Sequence, residues 1–282
     1  MFGREGKRSL TPRSSSFKTV ALLMLIPVGG ILLFFAWGFL NHALSALRRP
    51  AHTEASVLGA PPHRGDIVLI LDDVGFDHQP LDTAMAIDPN VNFAVLPNGK
   101  RSTEFAATLH SRGFELLCHL PMEPEGFPRI SPGDGAVLTT MTDAEIGRTT
   151  RANIEAIPFA RGVNNHMGSR ATADRRVMTE VLGALPKGMY FIDSRTTGNS
   201  VAGSVAQSMR VKTASRNVFL DDVQDVAAIR KQLEELAQTA ASRGIAVGIG
   251  HMHPSTMQVL TEDAPKLRTS GFRFVRASFA VR

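Results

Sequence analysis

The 282-residue sequence contains one cysteine, Cys118, which excludes an intramolecular disulfide framework and a cysteine-cluster metal site. Aromatic side chains are scarce. There is one tryptophan, Trp37, and one tyrosine, Tyr190, so no sugar-stacking groove rests on tryptophan. Positive charge is in short supply once its position is considered. Arg4, Lys7, Arg8, Arg13 and Lys18 against Glu5 give residues 1–18 a net +4, leaving +1 for the rest of a chain whose total is +5. A folded part this close to neutral gives phosphate-backbone binding little support, and nucleic acid is not an expected partner. No glycine-rich phosphate loop follows the first apolar run after residue 66, which argues against dinucleotide binding. The composition, 43% apolar and 20% charged, excludes a disordered or fibrous chain.

One long hydrophobic run is present. Residues 19–40 carry no charged side chain, and about 20 apolar residues in a helix cross a bilayer core. Pro27, Gly29 and Gly30 interrupt the run, but membrane helices tolerate both residue types. A cleaved signal peptide is the competing reading, although such peptides have a shorter apolar region and a small-residue cleavage site. Five basic residues precede the run, and Arg48 and Arg49 follow it. The positive-inside rule then keeps residues 1–18 cytoplasmic and exports residues 41–282. In a Gram-negative cell this gives a single-pass inner-membrane protein with a periplasmic domain. Residues 41–65, with Pro50, Pro61 and Pro62, read as a linker.

From Asp66 onward, short apolar runs alternate with amphipathic ones. Strands are predicted at 67–71, 91–95, 114–118, 162–165, 189–192, 217–220, 245–249 and 272–275. Thr142 with Glu145 forms a capping box, and Pro158 closes the helix that follows. Val226, Ile229, Leu233, Leu236 and Ala240 recur at helical spacing before Gly244. Strand alternating with helix predicts parallel strands joined by right-handed crossovers. An open doubly wound sheet fits the same pattern.

The apolar runs end in chemistry. Leu71 is followed by Asp72 and Asp73, Cys118 by His119 and then Glu123, Asn165 by His166, and Ile192 by Asp193 and Arg195. Leu220 is followed by Asp221 and Asp222, and Gly250 by His251 and His253. In a parallel barrel, residues just past the strand carboxyl ends converge on one face. An aspartate there is commonly a helix cap, which accounts for Asp222 and is open for Asp221 and Asp193; histidine is a poor cap. Carboxylates and imidazoles without thiols suit a divalent ion, above all zinc. On an extended chain the adjacent Asp72 and Asp73 point to opposite sides, one toward the metal and one toward the attacking water.

The segments Leu71–Gly75, His119–Pro124, Asn164–Ser169, Phe191–Thr196 and Gly250–Pro254 together resemble the divergent polysaccharide deacetylase family. That family is related to the NodB-like carbohydrate deacetylases. The resemblance covers residues 66–282 and implies a distorted (β/α) barrel of about seven parallel strands. It also implies that Asp72 is the general base and Asp73 a metal ligand. The His-x-x-x-His ligand pair of that superfamily reads His119-x-x-x-Glu123 here, so the ligand set becomes Asp73, His119, His166 and Glu123. The superfamily's third-motif arginine is absent, and Arg195 or Arg170 is the substitute. His251 takes the place of the general acid, with His253 as its competitor.

These readings converge on a membrane-anchored, metal-dependent hydrolase that removes acetyl groups from an envelope glycan. The alternative is a non-catalytic protein that keeps the fold and binds a glycan or an envelope partner. A third reading is another hydrolase class, an amidohydrolase or a phosphoesterase; His251-Met252-His253 resembles an amidohydrolase pair, but that pair belongs after a first strand and here follows a late one.

Overall fold

A computed structural model describes residues 62–282 of the chain. The basic tail, the membrane span expected at 19–40 and nearly all of the expected linker lie outside the described residues. Among the described residues no helix is long and apolar enough to cross a membrane.

The strands are β1 (Gly65–Val74), β2 (Asn92–Val95), β3 (Glu115–Met122), β4 (Gly162–Met167), β5 (Tyr190–Asp193), β6 (Thr213–Ser215), β7 (Val218–Phe219), β8 (Ile245–His251) and β9 (Phe272–Phe274). The helices are α1 (Leu81–Ile87), α2 (Ser102–Ser111), α3 (Asp143–Ala156), α4 (Arg175–Gly183), α5 (Ala202–Met209), α6 (Val226–Arg243) and α7 (Pro254–Thr269). The predicted capping box opens α3, and Gly244 ends α6 in the left-handed conformation. All strand pairs are parallel, in the order β6-β5-β4-β3-β2-β1-β8-β7, with β9 beside the start of β1.

The two ends of that order are consecutive in the chain, and this curls the sheet into a parallel half-barrel, consistent with the distorted barrel expected. Arg216 N–H donates to Asp193 O on β5, whereas the next residue, Asn217, donates to Val247 O on β8. Residues 213–219 therefore form one extended stave that pairs first with β5 and then changes partner to β8. The stave predicted at 217–220 is the second half of this element. Its first half, Thr213–Ser215, carries no alternating apolar pattern and is not apparent in the sequence.

Strand periodicity divides the core into two layers. Ile67, Leu69 and Leu71 of β1 pack outward against the helices, together with Phe93, Leu116, Cys118 and Phe191. Val68 and Ile70 point into the barrel with Ala94, Leu117, Tyr190, Ile192, Val247 and Ile249. The amino end of the barrel is plugged by the chain's last turn. Ala277 N–H donates to Asn92 Oδ1, and Ser278 bonds the Glu115 carboxylate, which also accepts from Tyr190 Oη at 2.8 Å.

Candidate metal and active site

At the carboxyl end, the inward positions of the staves change from apolar to ionisable. Asp72 follows Val68 and Ile70, His119 follows Leu117, and His251 follows Val247 and Ile249. On β4, Asn164 and His166 share the inward parity. One side chain reaches the site against its parity. The β1–β2 register shifts between Leu71 and Val74, and Asp73 has φ 58°. A non-glycine residue in that region stores roughly 1–3 kcal/mol. The kink turns Asp73 to the same side as Asp72, so the expectation that the two face opposite ways does not hold. His119 Nε2 lies 3.6 Å from Asp72 Oδ2 and 3.2 Å from Asp73 Oδ1. Gln79 clamps the kinked turn, donating to Asp73 O and accepting from Gly75 and Phe76 N–H.

Asp73, His119 and His166 form a triad. Asp73 Oδ1 is 2.9 Å from His166 Nδ1, and the two imidazole nitrogens are 3.2 Å apart. No aligned hydrogen bond satisfies the buried Asp73 Oδ1. His119 Nδ1 lies 2.9 Å from Asn164 Oδ1, while Asn164 Nδ2 donates to Asp72 Oδ1 at 2.8 Å. This network assigns the proton of neutral His119 to Nδ1 and aims the Nε2 lone pair at a carboxylate oxygen. Two lone pairs facing each other repel, and a cation between them removes the conflict. Ligand bonds of about 2.0–2.2 Å separate adjacent donors by roughly 3.0–3.5 Å, so the three atoms fit a divalent ion.

Without an ion, a proton relieves the same conflict. Burial opposes the charge on Asp73, but hydrogen bonds and charge from His119 and His166 outweigh it and hold the carboxyl well below the usual range; burial likewise opposes the His119 cation, but Asp72 and Asp73 push it up. Asp72 moves the other way. Burial pushes it up, Asp73 adds to the push, and His119 and His251 only partly offset it. Burial disfavours the His251 cation, yet the bond to Asp221 and the charges of Asp72, Asp221 and Asp73 push it up to about 9. Asp221 orients this ring. Its Oδ1 lies 3.0 Å from His251 Nδ1, and its Oδ2 accepts from His251 N–H at 2.6 Å and Thr256 Oγ1 at 2.8 Å. His251 Nε2 then faces the triad, 3.6 Å from Asp73 Oδ2. A cavity of about 430 Å³ opens over Asp72, Asp73, His119, His166 and His251 and is walled by Arg195, Arg216 and Phe219.

The sequence profile described as divergent polysaccharide deacetylase matches residues 69–281. The chain belongs to the divergent polysaccharide deacetylase family. The uncharacterized protein YibQ of Escherichia coli K12 is 36% identical over 206 residues, which are 73% of this chain and 64% of YibQ. An uncharacterized Haemophilus influenzae protein is 35% identical over 196 residues, 69% of each chain. The match therefore spans under two thirds of YibQ's length. The crystal structure of uncharacterized protein ATU2773 from Agrobacterium tumefaciens C58 shares the fold, with a TM-score of 0.73 at 20% identity over 77% of this chain and 89% of that one.

Within this member of the divergent polysaccharide deacetylase family, the residues singled out from the sequence are partly gathered and partly dispersed. Asp72, Asp73, His119, His166 and His251 converge. Glu123 stands outside the triad. Its carboxylate accepts from Thr139 N–H and Oγ1 and pairs with Arg170 Nη1 at 2.8 Å. That pairing also removes Arg170 from the site. His253 is the N-cap residue of α7, with its Nε2 3.0 Å from the Gln224 amide, and its ring packs on His251 at a 5.4 Å centroid separation. It forms a second group with Asp221 and His251, but both Asp221 oxygens are already bonded to the 251 and 256 side chains and backbone. Arg195 lines the cavity, exposed, with φ 48°. Three contributors were not assigned from the sequence: Asn164, Asp221 as an orienting group, and Arg216. Parity carries the missing signal for the first two, since Asn164 alternates with His166, and Asp221 with Phe219.

Proposed function

We propose that this chain is a metal-dependent hydrolase that removes acetyl groups from an envelope polysaccharide, anchored by residues 19–40 with its barrel in the periplasm. The observation that carries this reading is the Asp73–His119–His166 triad with its unsatisfied oxygen, flanked by Asp72 and His251 at the barrel's carboxyl rim. Zinc suits two imidazoles and one carboxylate. When bound it supplies Lewis acidity toward a carbonyl oxygen and makes water more acidic.

The chain's own residues supply the proton transfers. Asp72, pushed up by burial yet held by Asn164, accepts the proton of a water that attacks the acetyl carbonyl. His251, oriented by Asp221, donates from Nε2 to the departing sugar nitrogen or oxygen. The Asp221 carboxylate stabilises the imidazolium until that transfer. Arg216 N–H donates to Asp193 O, Arg216 Nε to Ser194 O and Ser194 N–H to Asn165 Oδ1, which ties this part of the cavity wall to β4 and β5.

The test uses purified full-length chain, with metal content read by elemental analysis and acetate release followed on acetylated glycans. About one divalent ion per chain, and acetate release abolished by a chelator and restored by zinc, is the expected result. Metal without acetate release from any acetylated glycan would instead identify a glycan-binding protein, and absence of bound metal would overturn the proposal.

A further inference from the structure

Two guanidinium groups line the cavity beside the triad, and no carboxylate neutralises either of them among the described residues. Arg216 sits where the closing stave changes partner, half-buried. Its Nε and Nη2 donate to the carbonyl oxygens of Ser194 at 2.6 Å and Arg195 at 2.8 Å, and its Cζ lies 4.6 Å from the Phe219 ring centroid. All of these partners are uncharged. Nη1 and one N–H of Nη2 remain unused. Arg195 is exposed on the same cavity wall, where its backbone engages Asp193 and Arg216 but its guanidinium bonds nothing among the described residues.

The carboxylates around them are committed elsewhere. Asp193 accepts from Arg195 N–H and Ser200 Oγ. Asp72 is held by Asn164. Asp222 lines the cavity too, but it is exposed and pairs with neither arginine. Burial works against the Arg216 charge, Asp72, Asp193 and Asp222 support it without a direct ion pair, and Arg195 repels it. Two adjacent cations, one of them partly desolvated and stacked on an aromatic ring, form a site for an anion. The planar fork of arginine matches a carboxylate or phosphate with two parallel bonds.

We propose that Arg195 and Arg216 receive an acidic group, a carboxylate or a phosphate, borne by the glycan, so that the cleft selects acidic over neutral polysaccharide. This rests on the deacetylase reading of the same cavity and adds the charge of its substrate. Arg195 is thereby a specificity residue and has no part in the proton transfers.

The test is calorimetric titration of the full-length chain with trigalacturonate, with the neutral tri-N-acetylglucosamine and with inorganic phosphate. Trigalacturonate is expected to bind about tenfold or more tighter than the neutral trimer, the effect of one charge-assisted pair. Added salt removes the preference, and so does Arg195→Gln. Arg216→Gln acts in the same direction but also loosens the 194–195 backbone, so the exposed Arg195 keeps the test independent of folding. Phosphate binding in place of trigalacturonate, lost in Arg195→Gln, assigns the acidic group as a phosphate. Equal binding of the two trimers together with no phosphate binding, or a preference unchanged in both variants, overturns the inference. Acetate release from neutral glycans alone would sink this inference and leave the deacetylase reading standing. Binding of trigalacturonate without acetate release from any glycan would do the reverse.

Discussion

Replacing Asn164 by leucine tests the connection between the metal triad and the base. Asn164 is fully buried, and its amide spans the two functions, with Oδ1 2.9 Å from His119 Nδ1 and Nδ2 2.8 Å from Asp72 Oδ1. Leucine keeps the volume and removes both bonds. Loss of the outer partner of a ligating imidazole lowers metal affinity about 10–100-fold. A hydrogen bond to a charged group is worth about 1.5–3 kcal/mol, and losing it moves the Asp72 carboxyl further up. Burial already pushes Asp72 up, so acetate release at neutral pH falls and recovers as the pH is raised. Chelator competition reads the first effect, and the ascending limb of the pH–rate profile reads the second. Asn164→Asp separates them. It keeps an acceptor for His119 but sets a second carboxylate about 3 Å from Asp72, a repulsion of about 5 kcal/mol at an effective dielectric near 20. The pair then retains a shared proton, so metal affinity stays close to wild type while the pH limb moves further. A folded Asn164→Leu protein with unchanged metal affinity and an unchanged pH limb would refute the reasoning.

Other substitutions divide the roles more coarsely. Asp72→Asn is expected to keep its metal and lose about 10²–10⁴-fold in acetate release, whereas Asp73→Asn loses the metal, as elemental analysis would show. In chelator-treated protein, His251 is raised from the usual 6.5 to about 9. Its contribution, at most about 3 kcal/mol, is complete below pH 6.5 and disappears as the pH rises through about 9; urea melts at pH 6 and 9.5 read it, and His251→Gln flattens the difference. Cys118 is buried and desolvation pushes its thiol up, so a thiol reagent is expected to react only after denaturation. A Cβ on Gly162 would collide with the Tyr190 ring; Gly162→Ala should destabilise by about 1–3 kcal/mol through overpacking, measured by denaturant midpoint.

The legibility of this protein varied with the kind of pattern involved. Apolar runs marked β1, β2, β3, β5, β8 and β9, because a stave buried on both faces is apolar along most of its length, and β4 showed only as a short run leading into Asn164 and His166. The half-stave Thr213–Ser215 escaped notice, since three partly exposed small and polar residues carry no period. Histidines at strand ends stood out because capping does not explain them. Asn164, Asp221 and Arg216 did not stand out, being ordinary residues whose importance comes from what lies across the barrel. Glu123 occupied a ligand's place in the spacing, but the chain leaves the barrel there, and Thr139 and Arg170 capture its carboxylate.

Sequence alone determined that Asp72, His119, His166 and His251 follow apolar strand candidates and, because a strand's side chains alternate with a fixed period of two, which residues of a strand share a face. Tertiary structure decided what that period cannot encode. A left-handed kink at Asp73 turned a carboxylate toward its neighbour's side, a stave that changes partner set Arg216 in the cavity wall, and long-range pairing brought Asp221 to His251. Each of these depends on contacts between segments tens of residues apart, and such contacts come into being only when the sheet closes.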